Sequence, residues 1–150
     1  MTQIARPSNV SGVLYVEDQP INVAVMEMLF ERLAGPALIV ATDGQEALRI
    51  AAEIQPQLLL LDLRLPDCHG TELLKQLRGL PGYAQIRAVA VTAETDFHLE
   101  GTGFIEVWKK PLKMAFAMGR LAQLCGMPVD IRSSEAPPLR RSAGSAWSRA

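Results

Sequence analysis

The chain has 150 residues, 49% of them apolar and 21% charged, with a formal net charge of −1. That is enough for one domain with a real core, and it argues against a largely disordered chain. A near-neutral balance gives no ground for binding DNA or a membrane surface, and no apolar run approaches the roughly 18–20 residues of a membrane span.

The elements follow in chain order. Residues 1–11 lack the apolar region of a signal peptide and read as an N-terminal arm. Val13–Val16 reads as a buried strand that ends on two acids, Glu17 and Asp18. The next stretch reads as a helix, with Pro20 in its first turn and Gly35 and Pro36 as its stop. Residues 37–42, ALIVAT, form strand two; a helix opened by Asp43 or Gly44 follows and closes before Pro56. The run LLLLDL, residues 58–63, is strand three and too apolar for an exposed edge. Helix three follows from Gly70, with Leu73, Leu74 and Leu77 on one face. Residues 88–93, AVAVTA, give strand four, and residues 104–111, FIEVWKKP, strand five. A last helix ends at Gly126, which places the domain at residues 12–127. Residues 128–150 are rich in Ser, Pro and Arg without periodicity and read as a flexible tail. From Ile131 onward, Arg132, Arg140, Arg141 and Arg149 against Glu135 give the tail +3 and leave the body −4.

Strands alternating with helices, with continuously apolar strands, predict an α/β fold whose doubly wound five-stranded parallel sheet has order 2-1-3-4-5, flavodoxin-like. In such sheets ligands sit outside the carboxyl ends of the strands. Those ends carry Glu17 and Asp18, then Asp62, then Thr92, then Lys109 and Lys110 before Pro111. Carboxylates brought together repel unless a cation joins them, and hard oxygen ligands suit Mg²⁺. A carboxylate at Asp62 held beside such a cation can act as a nucleophile toward a phosphoryl group, with a Lys ammonium and a Thr hydroxyl meeting its charge.

The segments YVED, LLLLDLRLPDCHG, VTA and KKPL, in this order and at roughly this spacing, resemble the receiver domain of two-component response regulators. The resemblance covers about Val13 to Gly126. It implies Asp62 as phosphoacceptor and Asp18 as a direct Mg²⁺ ligand. Glu17 would act on the metal through water, and the backbone carbonyl of Arg64 would be a further ligand. It implies Thr92 as the switch hydroxyl, Lys110 as the phosphate-binding lysine, and a cis bond before Pro111. The phosphodonor would be a sensor histidine kinase or a histidine phosphotransfer protein.

The chain departs from the family pattern in several places. Val107 stands where a switch aromatic is usual, and its neighbour Trp108 points to the other face of the strand. The segment between Thr92 and Lys110 is short and Gly-rich, which predicts a shortened fourth helix. Arg64 and Glu94 occupy the two positions that, in this family, flank the phosphate and tune its lifetime; paired, they would slow its hydrolysis. No output domain is expected, so the signal would leave through an unknown downstream protein, with a homodimer as one form of contact. Cys68 and Cys125 fit no metal or redox spacing, and a reduced, cytoplasmic setting is expected. His69 and His98 read as loop residues rather than ligands. The chain would serve as substrate and signal carrier rather than turnover enzyme; the competing reading is a degenerate receiver used as a phosphorylation-independent scaffold.

Overall fold

The structure is a computed structural model that describes residues 12–126; the expected arm at 1–11 and tail at 128–150 lie outside the described residues. Five parallel strands, β1 (Val13–Val16), β2 (Leu38–Ala41), β3 (Leu58–Asp62), β4 (Arg87–Thr92) and β5 (Glu106–Lys109), form one sheet in the order β2-β1-β3-β4-β5. The helices are α1 (Pro20–Glu31), α2 (Gly44–Ala51), α3 (Gly70–Arg78) and α4 (Met114–Cys125). The expected strand order is the one observed.

Side chains alternate across a strand, so a strand covered on both faces must be apolar at every position. This explains the four consecutive leucines. Leu59 and Leu61 join Leu14, Val16, Leu73, Leu74 and Leu77 in the core under α2 and α3. Leu58 and Leu60 join Val13, Tyr15, Met26, Leu121 and Trp108 in the core under α1 and α4. Register then levels the strand ends: Val16 lies opposite Leu61, Asp62 opposite Val91, and Thr92 opposite Lys109. The charged residues that follow these positions emerge on one rim.

The helix starts near that rim are tied down by side chains. Asp43 caps α2 by accepting from Glu46 N at 2.8 Å. Asp67, from the loop after β3, accepts from Gly44 N and Gln45 N at 2.9 Å each. A Cβ on Gly70, the first residue of α3, would lie 2.6 Å from the Asp62 carbonyl oxygen. Only glycine lets α3 start so close to the end of β3. The last helix ends on Gly126, which takes a left-handed conformation with φ 65°. Arg120 of α4 pairs with Glu106, and Phe116 meets Trp108 edge to face, which binds α4 to β5.

Several elements differ from expectation. Helix α1 stops at Glu31 rather than at Gly35, α2 at Ala51 rather than just before Pro56, and β5 is confined to Glu106–Lys109. The shortened helix expected after β4 is shortened to nothing: the chain from Ala93 to Ile105 is irregular. Gly101 and Gly103 sit there at φ 76° and 92°, outside helical geometry. Phe97 and Phe104, edge to face with ring centres 6.1 Å apart, cover the sheet where a helix would lie.

Asp67 gives the first prediction. The N–H groups of Gly44 and Gln45 hold its carboxyl below the usual range. Its stabilising contribution is therefore complete above about pH 3.9, the unfolded value, and is lost as pH falls through the lower folded value. Asp67→Ala should cost about 1 kcal/mol at pH 7, read from urea melts, and the gap to wild type should close in acid.

Candidate functional site

Glu17, Asp18 and Asp62 converge at the carboxyl ends of β1 and β3, and one oxygen from each lies within 4.8 Å of the others. Glu17 is fully buried, Asp62 nearly so, and Asp18 half-buried. Two carboxylates out of water are costly without a counter-charge. Lys110 supplies it, with Nζ 2.7 Å from Glu17 Oε1 and 3.0 Å from Asp62 Oδ2. The Lys110–Pro111 bond is cis.

Lys109, the other lysine of the pair, does not reach the acids. Its Nζ donates to the Glu94 carbonyl oxygen at 2.6 Å. Adjacent residues at a strand end diverge, so one lysine turns inward and the other to the rim.

Burial raises the Asp62 carboxyl above its usual range, helped by the Glu17 charge and opposed by Lys110 and the Arg64 N–H. Burial also works against the Lys110 ammonium, but its bonds to Glu17 and Asp62 outweigh that and hold it above its usual range. Lys110 is thus a cation at neutral pH. Asp62 Oδ1 accepts from Arg64 N at 3.1 Å.

Thr92, buried at the end of β4, accepts from Glu94 N through Oγ1 at 3.0 Å. Arg64 and Glu94 do meet across the mouth of the site, with Nε 3.1 Å from Oε2. Val107 packs toward α2 and α3 and Trp108 toward α1 and α4, as opposite faces require. Trp108 Nε1 donates to Glu106 Oε1.

Several participants escaped the sequence reading. Tyr15 OH donates to Glu17 Oε1 at 3.2 Å, and Asn22 Nδ2 to Glu17 Oε2 at 3.3 Å. His69 caps α3, with its Nδ1 accepting from Thr71 N at 3.2 Å. Its Nε2 faces Glu94 Oε2 at 3.3 Å, so this loop-end residue is also a third partner of the Arg64–Glu94 pair. Only its place one residue before Gly70 hinted at a cap. Burial first, then the Asp67 charge, pushes the Cys68 thiol up to about 11, away from the reactive thiolate.

The chemistry of the donor set is that of a hard divalent cation: three carboxylates, clustered and partly neutralised by one ammonium. The same cluster also sets stability. Asp62 has a raised folded pKa, so it favours the fold in acid, and this contribution is lost as pH rises through that value. At neutral pH its charge weakens the cation-free protein. Asp62→Asn should therefore raise the melting temperature measured in EDTA, and Mg²⁺ should narrow the difference from wild type.

The site can be set beside known proteins. The family model for the response regulator receiver domain matches residues 13–113. A probable C4-dicarboxylate response regulator, DctR of Halalkalibacterium halodurans, is 36% identical over 85 residues, which is 56% of this chain and 36% of that protein. The polar-differentiation response regulator DivK of Brucella anthropi is 37% identical over 82 residues, covering 55% of this chain and 66% of its own length. The chain thus matches less than two thirds of either relative. Among solved structures, a CheY-like receiver domain from Methylobacillus flagellatus superposes with TM-score 0.68 at 28% identity, over 77% of this chain and 98% of that one. The receiver domain of the sensor histidine kinase PA1611 from Pseudomonas aeruginosa, with a magnesium ion coordinated in its active-site cleft, gives TM-score 0.68 at 27% identity over 78% and 98%. With strand order, rim acids and family match in agreement, the chain belongs to the response regulator receiver domain family.

Proposed function

We propose that this chain accepts a phosphoryl group on Asp62 from a phosphohistidine of a sensor kinase or phosphotransfer protein, in a Mg²⁺-dependent reaction. The observation that carries this is the position of Asp62: buried at the end of β3, beside two further acids and bonded to Lys110. Asp18, Asp62 and the Arg64 carbonyl would hold the cation, with Glu17 beside them and bonded to Lys110. When bound, Mg²⁺ supplies positive charge for the phosphoryl oxygens and for the attacking carboxylate.

The residues of the chain do the rest. An Asp62 oxygen attacks phosphorus; a P–O bond forms as the P–N bond to the donor histidine breaks, and the imidazole leaves. Lys110 donates to a phosphoryl oxygen. Thr92 Oγ1 already accepts from Glu94 N, so its own O–H is left to donate to another oxygen. The burial of the strand ends limits water. Each chain carries one group per event, so it acts as substrate and carrier rather than turnover catalyst, and the signal leaves through protein contacts. The scaffold reading draws its support from the irregular Ala93–Ile105 segment and Val107, where the receiver pattern is weakest.

The deciding experiment is intact mass after incubation with acetyl phosphate and Mg²⁺. Wild type should gain one phosphoryl group, EDTA should prevent the gain, and Asp62→Asn should show none. Unmodified wild type, when phosphorylated kinase is also supplied, would leave the scaffold.

The mouth of the site gives a kinetic prediction. Arg64, Glu94 and His69 form one bonded group over the Asp62 side of the rim. Held together, they hinder water from reaching an acyl phosphate. Replacing both Arg64 and Glu94 with Ala should speed dephosphorylation on the order of tenfold, about the scale of one charge-assisted hydrogen bond. Phosphoprotein decay after donor removal measures it.

A further inference from the structure

Glu17 is fully buried, and an ionised carboxylate has about four lone-pair positions for hydrogen bonds. All are occupied by groups of this chain. Oε1 accepts from Lys110 Nζ at 2.7 Å and from Tyr15 OH at 3.2 Å. Oε2 accepts from Gln19 N at 3.1 Å and from Asn22 Nδ2 at 3.3 Å. Gln19 is the residue before α1, and Asn22 lies in its first turn, so the start of this helix is folded onto the acid.

The donors come from β1, the start of α1 and the segment after β5, and Glu17 itself has no exposed surface. Tyr15 lies on β1 two residues before Glu17, with its ring in the core under α1 and α4. Its phenol stays a donor, since burial first and the Glu17 charge second push its ionisation far above the usual range. Asp18, in contrast, is half-buried, and among the described residues its carboxylate accepts from Gln19 Nε2 at 3.3 Å. The two neighbouring acids are thus in different states: Asp18 is partly open to solvent, and Glu17 is spent on protein donors.

We propose that Tyr15 and Asn22 are positioning residues that commit Glu17 to Lys110 and hold its charge back from a divalent cation at Asp18 and Asp62. This rests on the metal-dependent reading of the site. A water-mediated link from Glu17 to the cation needs a lone pair, and none is open while both donors are in place. Removing either donor frees one and leaves the buried carboxylate less neutralised. Both effects have the same sign: cation affinity rises. The arrangement favours a fixed lysine over a tightly held metal, so the cation would come and go while Lys110 stays poised beside Asp62.

Calorimetric titration of Mg²⁺ into wild type, Tyr15→Phe, Asn22→Ala and Asp18→Asn tests this, with a thermal melt of each cation-free protein. Tyr15→Phe and Asn22→Ala are expected to tighten binding roughly threefold to tenfold, the scale of one ordinary hydrogen bond. Asp18→Asn is expected to abolish it. The two donor variants lie on different elements, so either one, folded by its melt, suffices. Unchanged or weaker binding in the folded donor variants, with binding lost in Asp18→Asn, overturns the role of Tyr15 and Asn22 and leaves the metal site standing. Binding that persists in Asp18→Asn, or is missing from every protein, overturns the metal site and this inference with it.

Discussion

One ammonium holds this structure's functional end together. Glu17 and Asp62 are carboxylates taken out of water at the ends of neighbouring strands, and Lys110 lies within hydrogen-bond reach of both. Desolvated like charges cannot sit side by side without compensation. The sheet must therefore bring the end of β5 toward the ends of β1 and β3, across β4. The in-register pairing of Thr92 with Lys109, and the turn through Pro111 into α4, place Lys110 where that requires.

The rest of the rim reads as support for this arrangement. Glu106–Arg120 and Trp108–Phe116 fasten α4 to β5, the strand that delivers the lysine. Gly70 lets α3 begin against the end of β3, and Asp67 reaches from the same loop to the start of α2. Lys109, Arg64 and His69 all converge on Glu94, through its carbonyl or its carboxylate. An inner set of charges thus surrounds Asp62, and an outer set bridges the loops above it.

Much of this could be read from the residues in order. Four consecutive leucines admit few placements other than a central strand covered on both faces, and the acids, Thr92 and the lysines fall where such strands end. The sequence sets Lys109 beside Lys110 and favours Lys110, next to Pro111; the strand geometry separates them, Lys110 inward and Lys109 outward. What stayed hidden depended on which side-chain atoms meet in space. Tyr15 looks like any aromatic in a buried strand until Glu17 is seen beside it. Asp67 looks like a turn residue, because its partners Gly44 and Gln45 are more than twenty positions away. Helix ends are also poorly legible: α1 stops short of Gly35, and α2 stops at Ala51, short of Pro56.

The irregular span after β4 changes how the molecule can carry force. A helix there would act as a strut, passing a displacement at Thr92 along its axis to a distant surface. The chain from Ala93 to Ile105 is instead a tether, pinned near its start by Lys109 and near its end by the packing of Phe104. Under the proposed phosphoacceptor role, a change at Asp62 would be felt close to the strand ends, and a partner would read it at the rim itself.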